Sequence, residues 1–331
     1  MNTHTAHPAD EPHPPLADVD AFRDFFAREG YIVVRGGLPP SVCFEAVDGF
    51  LKEVHLDHRA LFLREAPSRY APHVYTKAGH MQHPIVGLQD LCPRRYPQFR
   101  AAALALLTDA VLRRAVETLL GAPARLVDSM YFDANNFPWA QRDGRFIDAT
   151  RPEAMIGAWI AAEDIEPGAG RFYVLPGSHL RPPTDRHGRD PDCSCDTRAL
   201  AEFADVSRNI GPLRQVAPML AQGDLLLWSA MTIHGSLPTR GAAGSRRSLC
   251  ARYVAASSPP VRRGGGEGVV ASVGGMEVLH HSDPRSLAGR AANLVRARHP
   301  DAWLLLRRLA QLPARRRGRQ ATPEGGGERG T

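Results

Sequence analysis

The apolar positions of this chain change their period near residue 124. Before that point they recur at helical spacing. Val19, Phe22, Phe25 and Phe26 fall on one face of residues 18–29, and Gly30 stops the run. A strand-length apolar run follows at Tyr31–Val34. Leu38-Pro39-Pro40-Ser41 makes a turn with a cap, and the spacing predicts a second amphipathic helix over Val42–His55. Residues 64–98 are rich in Pro, His and Tyr and predict irregular chain. Two Ala/Leu-rich stretches predict helices over Phe99–Leu107 and Asp109–Leu120, with Gly121 as the stop.

After Ala124 the apolar runs are short and strand-like: Leu126–Phe132, Ile156–Ala162, Phe172–Leu175, Leu225–Trp228 and Leu249–Ala255. Gly, Pro and Asp turns separate them. Helices first and many short strands afterwards predict an α+β fold whose sheets form a sandwich or barrel. Residues 180–210 are polar and rich in Pro, Arg and Asp, which predicts a long surface insertion. Residues 285–311 return to helical spacing through Leu294, Trp303, Leu304, Leu305 and Leu309. No internal repeat is present.

Composition narrows the class. The chain has 331 residues, 43% hydrophobic and 23% charged, as in an ordinary globular protein. No run reaches the roughly 18 apolar residues of a membrane-spanning helix. The opening MNTHTAHPADEPHPP lacks the basic and apolar regions of a secretory signal and reads as a disordered leader, residues 1–17. One domain is expected over 18–312. The five cysteines, Cys43, Cys92, Cys193, Cys195 and Cys250, are odd in number and scattered, which points to reduced thiols in a cytoplasm. Cys193 and Cys195 lack the second pair that a zinc site needs. From Arg296 onward nine Arg face Asp301, Glu324 and Glu328, which accounts for the whole net charge of +6. The basic balance therefore describes an Arg/Gly-rich tail, 313–331, expected to be disordered, and not a basic face. No aromatic platform or known motif accompanies it, so the sequence does not support nucleic-acid binding.

The chemistry concentrates in residues 223–254, GDLLLWSAMTIHGSLPTRGAAGSRRSLCARYV. Gly223-Asp224 turns into an apolar strand, His234 follows between small residues, and Arg246-Arg247 opens the next strand. An imidazole beside one strand and a guanidinium on the next place a metal ligand near a carboxylate anchor. Iron(II) oxygenases that use 2-oxoglutarate need this pair.

Upstream, residues 156–179, IGAWIAAEDIEPGAGRFYVLPGSH, resemble the central signature of the phytanoyl-CoA dioxygenase family. There a W-I-A-L-E-D-I strand leads through a Gly-rich turn to P-G-S-H. The opening EGYIVVRGGLPP and the closing GDLLLW…IHGSLP…SRRS are similar to the family too, so the resemblance runs in order over roughly residues 18–256. It implies a double-stranded β-helix (a jelly roll) with N-terminal and flanking helices, and iron(II) held by two His and one carboxylate. Carried over by position, His234 is the distal His, Arg246 the 2-oxoglutarate Arg and Ser236 the hydroxyl beside it. Asp143 matches the carboxylate, within MYFDANNFPWAQRDG. The position of the first His holds Gln141, whose amide oxygen is a poorer iron(II) ligand than imidazole. The literal H-x-D triplets His55/Asp57, His281/Asp283 and His299/Asp301 fall in the wrong order or element.

Without the resemblance, Asp143 reads as a turn residue, His234 as a structural His and Arg246 as a surface Arg, as Arg247 still does. His179 reads as a loop residue. His73, His80 and His83 lie in the irregular segment that lines the substrate entrance in the family. Trp159 either packs or touches the cosubstrate. The implied cofactors are Fe(II) and 2-oxoglutarate, with ascorbate as reductant, and the partners are O2 and a small, secondary-metabolite substrate. Hydroxylation, desaturation or ring closure are the implied outcomes; the retained carboxylate disfavours halogenation. The competing class is a fold descendant that keeps the pocket without the metal, motivated by Gln141.

Deleting residues 313–331 is expected to leave the thermal midpoint and ligand binding unchanged. A cooperative loss of both in calorimetry would contradict a disordered tail.

Overall fold

A computed structural model describes residues 12–64, 69–135, 140–143, 154–181, 206, 213–240, 244–260 and 268–281, together with 291, 295, 298–300, 302, 303 and 305. Residues 1–11 of the expected leader, all of the expected tail, and Cys193 and Cys195 lie outside these residues. Helix α1 spans Val19–Glu29; the Asp18 side chain accepts from the Ala21 N–H and Gly30 closes the helix at φ 77°. Ahead of it, His13 stands edge-on to Phe25 and Tyr31, with ring centres 4.9 and 5.4 Å away.

Strand β1 (Tyr31–Val34) leads to α2, Pro40–Gly49, which widens into a π-helical turn over Phe50–Val54. Together these occupy the single helix expected over Val42–His55. Short strands β2 (Phe62–Arg64), β3 (Arg69–Ala71) and β4 (Ile85–Val86) lie within the segment expected to be irregular. Helices α3 (Pro97–Leu107) and α4 (Ala110–Leu120) follow; Asp109 caps α4 through the Val111 N–H. Gly49 lets α2 and α3 meet closely, because a Cβ there would lie 2.8 Å from the Phe99 nitrogen.

The remaining strands are β5 (Ala124–Phe132), β6 (Ile156–Ala161), β7 (Phe172–Val174), β8 (Leu225–Ser229), β9 (His234–Ser236), β10 (Ser248–Ala255), β11 (Val269–Val273) and β12 (Met276–His280). The large sheet runs β1-β8-β6-β10-β5-β12-β11, with β4 paired to the far end of β5, beyond β12. The pairings are antiparallel except β12 with β5. The small sheet pairs β7 with β9, and bridges from Gln141 to His234 and from Val174 to Val216 extend it on either side. The β11–β12 hairpin carries no signal that stood out in the sequence.

Two facing sheets with helices outside make the α+β double-stranded β-helix. Strand periodicity divides its interior. Ile156, Ala158 and Ile160 of β6 join Leu225, Leu227, Leu249, Ala251 and Tyr253 in the core under the helices. Trp159 and Ala161 join Leu226, Trp228, Cys250, Phe172 and Val174 in the layer between the sheets. The Tyr253 hydroxyl donates to the Leu107 carbonyl at 2.7 Å and ties the sheet to α3. Val206, inside the stretch expected as a surface insertion, is buried and packs with Tyr173, Leu175 and Ile233. No helix among the described residues is long and apolar enough to cross a membrane.

Gly157 sits opposite Trp228 across β6 and β8. A Cβ at 157 would lie 2.2 Å from the Trp228 ring, so only a glycine lets the indole lie across the strand. Gly157→Ala should lower unfolding free energy by about 2 kcal/mol in urea titrations, as overpacking of a filled core does. Unchanged stability with an unchanged tryptophan emission spectrum would show that the indole yields freely.

Candidate active site

The layer between the sheets opens into a cavity that is partly open to solvent. Its walls include Phe132, Gln141, Trp159, Phe172, His234, Ser236 and Arg246. The structure therefore brings Gln141, Trp159, His234, Ser236 and Arg246 to one cavity, and Asp143 lies against its His234 wall. Gln141 and His234 form a backbone bridge, with N···O distances of 2.9 Å and 3.0 Å. Asp143 is fastened by its own N–H to the Ala230 carbonyl at 2.9 Å. Between them Arg142 turns away and donates to the carbonyls of Met231, Ser178 and Arg181. This anchors the Gln141–Asp143 segment to the loop that carries Ser178.

His234 Nε2 stands 3.7 Å from Asp143 Oδ1. The other ring nitrogen, Nδ1, lies 2.9 Å from the Thr232 carbonyl, an atom that only accepts, so Nδ1 carries the proton. Burial pushes the His234 pKa down, further than Asp143 and the Thr232 bond push it up, so the imidazole is neutral at pH 7. A bare Nε2 lone pair then faces a carboxylate oxygen, an arrangement that a cation between them relieves. The ring is held in place by Phe172, stacked at 5.4 Å, and Trp228, tilted at 5.0 Å.

Asp143 is fully buried. Trp228 Nε1 donates to Oδ2 at 3.0 Å, and Arg252 Nη2 donates to Oδ1 at 2.5 Å. Burial pushes its pKa up, but Arg252, His234 and these two bonds outweigh it and hold the carboxyl below its ordinary value. Arg252 also donates to Asp128 Oδ2 at 2.7 Å.

Arg246 is buried too, with the opposite environment. Its Nη1 donates to the Ser236 hydroxyl at 2.6 Å and the Gly170 carbonyl at 2.9 Å. Its Nε has no partner. Phe132 and Trp159 lie beneath the guanidinium at 5.6 and 5.7 Å. Among the described residues no carboxylate pairs with it. Burial pushes its pKa down to about 10. A desolvated guanidinium with open donors is a receptor for a carboxylate.

The donor set fits a divalent cation incompletely. One imidazole and one carboxylate face each other, Gln141 adds a neutral amide, and among the described residues no third His, Cys, Asp or Glu completes a group. The fit to a dicarboxylate such as 2-oxoglutarate, through Arg246 and Ser236, is closer.

Several expectations change here. Arg247, read as a surface Arg, pairs with Asp133 and Glu163 at 3.1 and 3.2 Å. His80 and also His55 are directed at Asp133, at 3.6 and 3.9 Å, while His73 stacks on Phe62 at 4.0 Å. Neither His80, His73 nor His83 is part of the cavity wall. His179 reaches the Ala27 carbonyl at 3.0 Å. Trp159 both packs on Phe172 and lines the cavity. Sequence reasoning missed Arg252, Asp128 and Trp228. The available signal was a charge inside each of two apolar strand runs, and the matching parity of Arg246, Ser248, Cys250 and Arg252 on one strand.

A family profile described as phytanoyl-CoA dioxygenase (PhyH) matches residues 26–248. No curated protein matches the chain in sequence. Among solved structures, the epimerase SnoN in complex with Fe3+, alpha ketoglutarate and nogalamycin RO is similar at TM-score 0.55 and 19% identity, over 80% of this chain and 98% of SnoN. The non-heme alpha ketoglutarate dependent carbocyclase SnoK from nogalamycin biosynthesis is similar at 0.56 and 18%, over 81% of this chain and 100% of SnoK. EctD from S. alaskensis, with 2-oxoglutarate and 5-hydroxyectoine, is similar at 0.51 and 18%, over 82% of this chain and 91% of EctD. At these identities the likeness speaks for the fold.

Removing a buried, unpaired charge relieves desolvation. Arg246→Met should therefore raise ligand-free stability by about 1 kcal/mol or more while abolishing the thermal shift caused by 2-oxoglutarate. Retention of that shift would disprove the carboxylate-receptor assignment.

Proposed function

This chain belongs to the phytanoyl-CoA dioxygenase family, and we propose that it is an iron(II)- and 2-oxoglutarate-dependent oxygenase acting on a C–H bond of a small molecule. The observation that carries this reading is Arg246. A fully buried guanidinium without an acidic partner among the described residues is costly, and a dicarboxylate in the same cavity as His234 offsets the cost.

In this reading Arg246 and the Ser236 hydroxyl grip the distal carboxylate of 2-oxoglutarate. Phe132 and Trp159 shield that ion pair from water and so strengthen it. Asp143 and His234 hold the metal, and Gln141 supplies a neutral third donor. Thr232 fixes the His234 tautomer so that Nε2 points at the metal. Iron(II), when bound, supplies oxygen activation coupled to decarboxylation of 2-oxoglutarate to succinate, with ascorbate as reductant. The protein's own part is to exclude water, orient the cosubstrate and present the substrate C–H. A small-molecule substrate suits the cavity, and SnoN and SnoK are tied by name to nogalamycin. Hydroxylation, desaturation and ring closure are all open to such a site.

A second reading, a pocket that binds its ligand without metal, is favoured by Gln141 and by the guanidinium on Asp143. Anaerobic iron(II) titration in the presence of 2-oxoglutarate separates the two. The oxygenase should develop a weak visible charge-transfer band, and Gln141→His should lower the iron dissociation constant by about tenfold or more. No band in either protein at millimolar iron would assign the chain to the second reading.

A further inference from the structure

Trp228, Gly157, Arg252 and Asp128 are register partners in one row across β8, β6, β10 and β5. Gly157 leaves the row open at its centre, and Trp228 and Arg252 reach Asp143 from either side of it. We propose that Arg252, held in place by Asp128, is a positioning residue that sets how tightly Asp143 binds a divalent cation. The proposal rests on the reading of His234 and Asp143 as metal ligands.

The oxygen that Arg252 occupies is the one that matters. Oδ1 takes the guanidinium at 2.5 Å, and the same Oδ1 faces His234 Nε2 at 3.7 Å. A cation that bridges Nε2 and Oδ1 must share Oδ1 with a positive group. That group cannot discharge itself, because guanidinium stays protonated in proteins. It also cannot swing away cheaply. Arg252 is buried, and its second nitrogen is tied to Asp128 at 2.7 Å. Oδ2 is likewise partly taken, since Trp228 donates to it at 3.0 Å.

Asp128 has a second effect. A lone Arg252 would cancel the charge of Asp143 and leave the site without net attraction for a cation. With Asp128 present, the three side chains carry one net negative charge. The site thus keeps the charge of an ordinary single-carboxylate metal site while its bridging oxygen is partly spoken for. Weak, reversible metal loading is the consequence, in addition to any weakness from Gln141.

Neutralising both partners separates these effects. The double variant Asp128→Asn with Arg252→Met has the same net charge at the site as the native protein, but Oδ1 is released. Manganese(II) alone serves as the probe, with free metal counted by electron paramagnetic resonance and folding checked by near-ultraviolet circular dichroism. The double variant should bind manganese(II) about tenfold or more tightly than the native protein. Arg252→Lys, which keeps the positive charge, should stay near the native affinity. If the Met version fails to fold, Asp128→Asn with Arg252→Gln keeps a neutral hydrogen bond in the row and should shift the same way. Native-like or weaker binding by a folded double variant overturns the proposal. Tight binding by the native protein, undiminished in Arg252→Lys and unimproved in the double variant, overturns it while leaving the iron reading intact. Binding of 2-oxoglutarate in calorimetry with no manganese(II) bound by any of the proteins overturns both.

Discussion

One buried carboxylate organises the space between the sheets. Asp143 has no exposed surface, and an ionised carboxyl so placed costs several kcal/mol unless it is paired and hydrogen-bonded. The structure answers with Arg252, the Trp228 indole N–H and the neighbouring His234 ring. Each answer imposes a further condition. Trp228 can lie across the sheet only because residue 157 has no side chain. Arg252 can be buried only because Asp128, on the next strand, takes its other nitrogen. A single charged atom pair thus dictates residue choice on four strands.

The second buried charge follows the reverse logic. Arg246 has neutral acceptors and two aromatic rings, and among the described residues no carboxylate. Among the described residues nothing neutralises it, so it is a source of instability that a bound anion removes. Arg252 stands on β10 and Arg246 two residues before its start, six residues apart, yet one is closed and the other open. That contrast distinguishes a structural guanidinium from a ligand-binding one more sharply than residue type does. It also gives the cavity polarity, with a buried guanidinium at Arg246 and an imidazole facing a carboxylate at His234 and Asp143.

Much of this was legible beforehand. The change of hydrophobic period near residue 124 separates the helices α1 to α4 from most of the sheet strands, and β1, β5, β6, β7, β8 and β10 lie within two residues of the apolar runs that predict them. The ordered resemblance placed Gln141, Asp143, His234, Ser236 and Arg246, and the fold gathers them around one cavity. What escaped notice has a common character. The π-helical turn after Gly49, the parallel pairing of β12 with β5 and the ion pairs of Arg247 all depend on partners distant in sequence. The His residues of the 73–83 segment were expected near the substrate entrance, but the cavity wall runs without them and His80 is directed at Asp133, more than fifty positions onward.

Local pattern therefore settles which segments become helix or strand and which face of each strand points inward, because periodicity is a property of neighbouring residues. The resemblance adds that an amide, Gln141, stands where it implies an imidazole. Register is another matter. Only the alignment of β8, β6, β10 and β5 puts Trp228, Gly157, Arg252 and Asp128 in one row, and only the fold of the two sheets lays Asp143 over that row. Whether a buried charge is quenched or left waiting for a ligand is decided by atoms within about 4 Å, and those atoms come from strands a hundred residues apart.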